Sequence, residues 1–253
     1  PDGFPIQKRI GLIETSIGKM VPDIERSSAD ELTIFTEPYN SLLVDKDGFR
    51  NLIPKIKGLV QKSDFQAWVD RKAFIHNLGH ASIAYFGNFR HKKAEYMYEV
   101  MQDQKVVDFG KAVMNQAAEI LLLKYPGAYT REELIHHIED LLQRFNNKSL
   151  SDTVKRVADD VSRKLGPDDR FVGIIKIARE YGGDFQMILR AMSYALVYSV
   201  NENSYISEKD KKLGERVRAD IKGTLTSVSG LDSLEDKEII DQIAGNYHEI
   251  MRS

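Results

Sequence analysis

The 253-residue chain, long enough for one large domain or two small ones, carries 36 basic and 38 acidic residues. Acids and bases are interleaved, which leaves no basic face for nucleic acid or an anionic membrane. Cysteine is absent, which removes disulfides, thiolate metal sites and cysteine nucleophiles together. No apolar run approaches ~18 residues and no charged start precedes a short apolar block, so neither a membrane span nor a signal peptide is expected and the expected location is cytoplasmic.

In chain order, residues 9–22 read RIGLIETSIGKMVP, with Ile10, Leu12, Ile13, Ile17, Met20 and Val21 interrupted by Gly11 and Gly18. This pattern predicts one or two short strands. Glu31 to Phe35 is another strand candidate, ending at the turn signal Glu37-Pro38. Residues 39–47, YNSLLVDKD, have little helical period and lead through Gly48 into a loop. The first 50 or so residues are therefore strand and loop, and the remainder is mostly helix.

A long helix is predicted over residues 64–89, because Phe74, Ile75, Leu78 and Tyr85 recur at helical spacing. Beyond it, a charged helix is expected over 91–103. An amphipathic one over 105–125 carries Val106, Phe109, Val113, Ala117, Ile120 and Leu121 on one stripe and stops at Pro126-Gly127. Thr130 and Glu133 form a capping-box pattern before a helix at 134–145. Ser151 or Asp152 is expected to cap a helix reaching about Ser162. Further helices are expected over 170–181, 184–200 and 235–251, with Gly182-Gly183 and Gly230 as breakers. There is no internal repeat.

Within the long helix, residues 73–89 contain no Asp, Glu, Lys or Arg, so the segment is buried. At about 100° per residue, Lys72, Asn77 and His80 fall within an arc of roughly 140°. Burying an ammonium, an amide and an imidazole without partners costs roughly 2 kcal/mol or more each, so something must satisfy them. Burial lowers a lysine's pKa and makes it a base near neutral pH. The amide and imidazole can hydrogen-bond an oxygen that gains negative charge. The set therefore suits proton removal from an alcohol. The same spacing also fits a Lys72 turned to solvent, with Asn77 and His80 capping nearby backbone. A zinc site is not indicated: His76 and His80 are four apart, but no glutamate stands between them in the required place and no third ligand is evident.

The run KAFIHNLGHASIAYFG, residues 72–87, resembles the K-x4-N-x-G-H-A-x2-A-Y-x-G segment of the mannitol-1-phosphate 5-dehydrogenase family, within the long-chain polyol dehydrogenases. The segments IGLIETSIGKMVP, EPYNSLLVDKDGF and RVADDVSRKLGPDDR are similar to flanking family elements in the same order, so the resemblance covers almost the whole chain. It implies a mainly α fold, the multi-helical C-terminal domain of a polyol dehydrogenase, similar to the C-terminal domain of 6-phosphogluconate dehydrogenase. Lys72 would then be the general acid/base, and Asn77 and His80 would bind the reacting oxygen. NAD would be the cofactor, no metal would be needed, and the substrate would be a polyol or sugar phosphate.

There are departures from the family pattern. No G-x-G-x-x-G occurs, so the dinucleotide cradle is missing. With Pro1 at the start, the expectation is a C-terminal piece: residues 1–30 as the end of a Rossmann domain and hinge, and residues 31–253 as the helical catalytic domain. Gly18-Lys19 stand where the family often has Asp-Arg, and Leu78 where it often has Thr.

Other residues stay open between two roles. Tyr39 and Asn40, in the P-Y-N-like loop, are candidates to touch the cofactor or simply to pack the loop. Arg156, Arg163 and Arg170, in the densest basic stretch with Lys155 and Lys164, are candidates for a substrate phosphate. Pairing with Asp159, Asp160, Asp168 and Asp169 on a solvated face accounts for the same charges. His76 reads as a satisfied core histidine, His136 and His137 as surface residues, and Trp68 as core. Rival functions are a hexuronate (tagaturonate or fructuronate) or unphosphorylated polyol oxidoreductase, and a stand-alone helical interaction domain.

Overall fold

A computed structural model describes residues 9–21, 36–201 and 206–253. The candidate strand at 31–35 lies outside these residues. Strand β1 (Thr15–Ile17) falls inside the segment predicted as strand and is only three residues long. Its partner, β2 (Leu42–Asp45), runs antiparallel to it, and β3 (Leu59–Lys62) adds to β2 in parallel. Sequence periodicity missed β2 and β3 because each is four residues long, too short for two-residue alternation to register. β1 thus pairs across the boundary expected near residue 30.

The rest is helical, as expected. The long helix begins with α1 (Phe65–Arg71), passes through a π-helical turn at Lys72–Asn77 and continues as α2 (Leu78–Arg90). Ile75, Leu78, Ile83 and Tyr85 on this helix are fully buried, each contributing about 1.5–3 kcal/mol. Where the helix crosses α4 (Gln104–Lys124), Gly79 is required, since a Cβ there would come within 2.4 Å of the Met114 side chain. The expected helix over 91–103 shrinks to α3 (Met97–Val100). Glu99 folds back to accept from the Glu95 and Tyr96 amides, and Tyr96 bridges to Thr153, so the preceding chain is held extended.

The Thr130–Glu133 capping box forms as predicted and starts α5 (Arg131–Phe145). The helix expected from 151 to 162 is instead two short ones, α6 (Val154–Ala158) and α7 (Val161–Lys164). Asp160 takes a left-handed conformation between them, and the buried Asp210 accepts from the Asp160 and Val161 amides. Thr153, not Ser151 or Asp152, caps α6. Helices α8 (Val172–Tyr181), α9 (Gln186–Ser199), α10 (Glu208–Ala219), α11 (Ile221–Ser229) and α12 (Lys237–Arg252) complete the chain. Helix α9 is nearly all buried between α2, α4 and α12. The long helix is therefore enclosed along α2, while its α1 and π-turn end looks onto α5 and the three-stranded sheet.

Candidate active site

The residues predicted to carry chemistry begin at the π-turn. A π-turn holds one more residue per turn than an α-helix, frequently marks a functional position, and shifts the side chains after it relative to 100° bookkeeping. His76, one wide turn after Lys72, lines the same cavity as Lys72. Lys72 is half-buried, has no hydrogen bond to a described residue, and is held below the ordinary lysine pKa by burial. A lowered pKa is what a lysine base requires.

His80 lies one turn further along. Its ring stacks on Phe145 of α5, with centroids 4.3 Å apart and planes 2° from parallel. Nε2 is 3.1 Å from Asp152 Oδ2, close enough for strong attraction but not aligned as a straight hydrogen bond. Burial holds His80 below the usual histidine pKa, against the opposing pull of Asp152. Asp152, expected as a helix cap, is 8% exposed and receives Arg156 through Nε (2.8 Å) and a second nitrogen (2.7 Å). Burial opposes its ionisation, but His80 and Arg156 outweigh burial and keep its pKa below the ordinary carboxylate value.

Asn77 is half-buried, and its carbonyl accepts from Arg170 Nη1 at 3.1 Å. Arg170 is also paired with Asp169 at 2.8 Å. Arg163, 53% exposed, lies between Asp160 and Asp169. All three arginines proposed for a phosphate are thus already paired with carboxylates, on the pattern of the alternative reading. Lys164 in the same stretch is 4% exposed. Its ammonium donates to the Val157 and Asp159 carbonyls, and burial brings its pKa down to about 8.

The basic groups without partners are elsewhere. A cavity of ≈ 20 Å³ opens between the π-turn, α5 and the N-terminal sheet, with Arg71, Lys72, His76, His137, Arg144 and Tyr39 on its wall. His137 is not the surface residue predicted. Burial, with Arg71 and Arg144 nearby, lowers its pKa to about 3. His76 is buried as predicted, yet no described residue hydrogen-bonds its ring, so it is not satisfied in the expected sense. Sequence reasoning did not single out Arg71 or Arg144. The available signal was the i, i+7 spacing of His137 and Arg144, which puts both on one helical face.

Arg144 spans two parts of the fold. It pairs with Glu37, 5% exposed, donates to the Gly18 carbonyl, and lies over the Tyr39 ring at 4.7 Å. Glu37 also accepts from the Met20 amide at 2.6 Å. These bonds place Tyr39 beside Lys72. Asn40 is exposed and accepts from Lys19 Nζ at 3.0 Å. Among the described residues, no glycine loop at a helix N-terminus offers a seat for a pyrophosphate. No cluster of three or more His, Cys, Asp or Glu residues among them could hold a metal. No helix among them is long and apolar enough to cross a membrane.

This helical fold defines a class, that of C-terminal domains of the mannitol dehydrogenase family. The family model for the mannitol dehydrogenase C-terminal domain matches residues 64–251, and the chain belongs to that family. It is 30% identical over 246 residues to a mannitol-1-phosphate 5-dehydrogenase of Streptococcus pneumoniae strain 70585, and 29% identical to one of strain CGSP14. Those alignments cover 96% of this chain and 61% of each relative, so the chain spans about three-fifths of the relatives' length. Among solved structures, the fold resembles a Pseudomonas fluorescens mannitol 2-dehydrogenase in ternary complex with NAD and D-mannitol (TM-score 0.74, 18% identity, 94% of this chain and 51% of that one). A D-sorbitol dehydrogenase in substrate-free form is equally similar (TM-score 0.74, 17% identity, 95% and 52%).

Proposed function

We propose that this chain is the substrate-binding and catalytic part of an NAD-dependent oxidoreductase similar to mannitol-1-phosphate 5-dehydrogenase, interconverting mannitol 1-phosphate and fructose 6-phosphate. The observation that carries the reading is Lys72, a half-buried amine with lowered pKa and no partner among the described residues, on a π-turn beside a cavity. In alcohol oxidation Lys72, in its neutral form, takes the hydroxyl proton. Asn77 offers an amide to the same oxygen as it gains charge. His80 is oriented by Asp152 through Nε2, leaving Nδ1 for a substrate hydroxyl. NAD, when bound, supplies the hydride acceptor. Tyr39 and Asn40 are the residues of this chain we assign to its nicotinamide end, and the pyrophosphate would be held by groups outside the described residues.

The test is a substrate panel with the enzyme that carries this chain. Mannitol 1-phosphate and fructose 6-phosphate should give the highest kcat/KM, well above mannitol, tagaturonate and fructuronate. Preference for a hexuronate or for free mannitol would replace this reading, and no NAD-linked turnover of any of them would leave an interaction domain.

A further inference from the structure

We propose that the cavity between Arg71, His137 and Arg144 seats a phosphate monoester, the phosphate end of the substrate. That the phosphate belongs to the substrate rests on the reading above; the oxyanion site itself does not. The first ground is convergence. The central helix contributes Arg71, Lys72 and His76, helix α5 contributes His137 and Arg144, and the N-terminal loop contributes Tyr39, all around one small space.

The second ground is the pairing of these groups. Among the described residues Arg71 has neither a hydrogen bond nor an ion pair, and its Nε is sealed from solvent without a partner. Its guanidinium rests on the Trp68 ring at 4.5 Å, which orients it without satisfying its donors. Lys72, His76 and His137 likewise lack a hydrogen bond to any described residue. Among the described residues two carboxylates touch the group, both at Arg144: Glu37, which also accepts from the Met20 amide, and the exposed Asp140 at 3.2 Å. A buried donor left unmade is costly, and Arg71 Nε is one; Lys72, His76 and His137 beside it have no partner among the described residues to give up to a ligand.

Size and donor type select the ligand. The enclosed volume of ≈ 20 Å³ is little more than the about 10–15 Å³ that one water requires, so it excludes a sugar ring and takes only the oxygens of a terminal group lying at its mouth. The Arg71 guanidinium fork and the two imidazoles suit the three free oxygens of a phosphate monoester, which accept more hydrogen bonds than a carboxylate's two, and Lys72 at the edge of the cavity stays with the reacting hydroxyl. A cofactor pyrophosphate needs backbone amides at a helix N-terminus, whereas these side chains leave mid-helix and from the last turn of α5. Gly18 leaves one wall of the cavity without a side chain. A Cβ there meets only His76 Nδ1 and Tyr39 Cε1, both at 3.9 Å, and the end of that ring at 4.0 Å, so an acid would fit and neutralise the cavity.

The test is calorimetric titration of the chain with inorganic phosphate, with the ring signals of His76 and His137 followed by NMR. Saturable binding that shifts both rings is expected. Gly18→Asp and Arg71→Gln should each weaken it about tenfold or more, while Arg163→Gln leaves it unchanged. Circular dichroism establishes that each variant is folded, and Arg71→Gln decides the matter if Gly18→Asp does not fold. Mannitol 1-phosphate should displace phosphate, whereas mannitol and NADH should not. No saturable binding, binding indifferent to both variants, or loss in Arg163→Gln would overturn the site. Displacement by NADH or by a hexuronate but not by mannitol 1-phosphate would overturn its assignment to a sugar phosphate. Phosphate binding by a protein that turns over no sugar phosphate would keep the oxyanion site and remove the enzyme reading.

Discussion

Two clusters of positive charge lie on either side of the π-turn and differ in one respect. In the stretch 155–170, Arg156, Arg163 and Arg170 each have a carboxylate within 3.0 Å or less, and Lys164 is bound to two carbonyls. Around the cavity, Arg71, Lys72, His76 and His137 have no hydrogen-bond partner among the described residues, and Arg144 alone is paired. The first cluster is dense in sequence and its arginines are all paired with carboxylates; the second is scattered over residues 71–144 and leaves Arg71 without a carboxylate among the described residues. Local density of basic residues therefore says little about where an anion can bind, because neighbouring acids are equally local. Pairing across the fold decides it.

The comparison can be broken most severely on its paired side. Asp152→Ala removes the buried acceptor of His80 and of Arg156, and because Arg156 is 44% exposed the loss is that of charge-assisted hydrogen bonds, about 1.5–3 kcal/mol. Denaturant unfolding should show a loss of that order, and a loss under 1 kcal/mol would mean that the pair is incidental. Glu37→Gln removes the carboxylate that fixes Arg144 and the Met20 amide, and about 1.5–3 kcal/mol is expected by the same measurement.

A pH series probes the unpaired side. His137 titrates near 3 in the folded state and near 6.5 when unfolded, so its neutral form is the one the fold favours. Its contribution is then complete above about pH 6.5 and declines as pH falls from there toward 3, by up to ~1.4 kcal/mol per pH unit. His137→Gln should flatten the pH dependence of stability in that window, and an unchanged slope would mean that His137 is solvated. The smallest effects are expected at two positions. Arg163→Gln removes exposed ion pairs and should alter stability by less than about 1 kcal/mol. Tyr129→Phe deletes a buried hydroxyl with no partner and should be neutral or slightly stabilising.

The long helix, the capping box and the order of the later helices were legible because they rest on local signals that persist over many residues. Lys72, Asn77 and His80 were legible as candidates because uncharged sequence surrounds them; of the three, Lys72 alone lines the cavity. The π-turn was not, since helical projection assumes a constant step. His137 was misread as a surface residue because its neighbours in sequence are charged, whereas its helix turns that one position inward. Asp152 looked like a cap because it precedes a helix; only the fold shows His80 and Arg156 closing on it. Arg71 and Arg144 needed the tertiary structure, since their lack or possession of a partner is fixed by residues far away in sequence.

The central claim is that Lys72 takes the proton of the alcohol. Removing it should lower kcat for polyol oxidation by roughly 10² to 10⁴, with little change in cofactor affinity. Its pKa lies below the ordinary lysine value because of burial, and only the neutral amine can accept a proton, so the oxidation rate should rise with pH through that ionisation. The most direct measurement is the pH profile of kcat for the parent enzyme and Lys72→Ala side by side. The account predicts one rising limb in the parent that is missing from the variant. A variant with near-parent turnover and the same rising limb would contradict it.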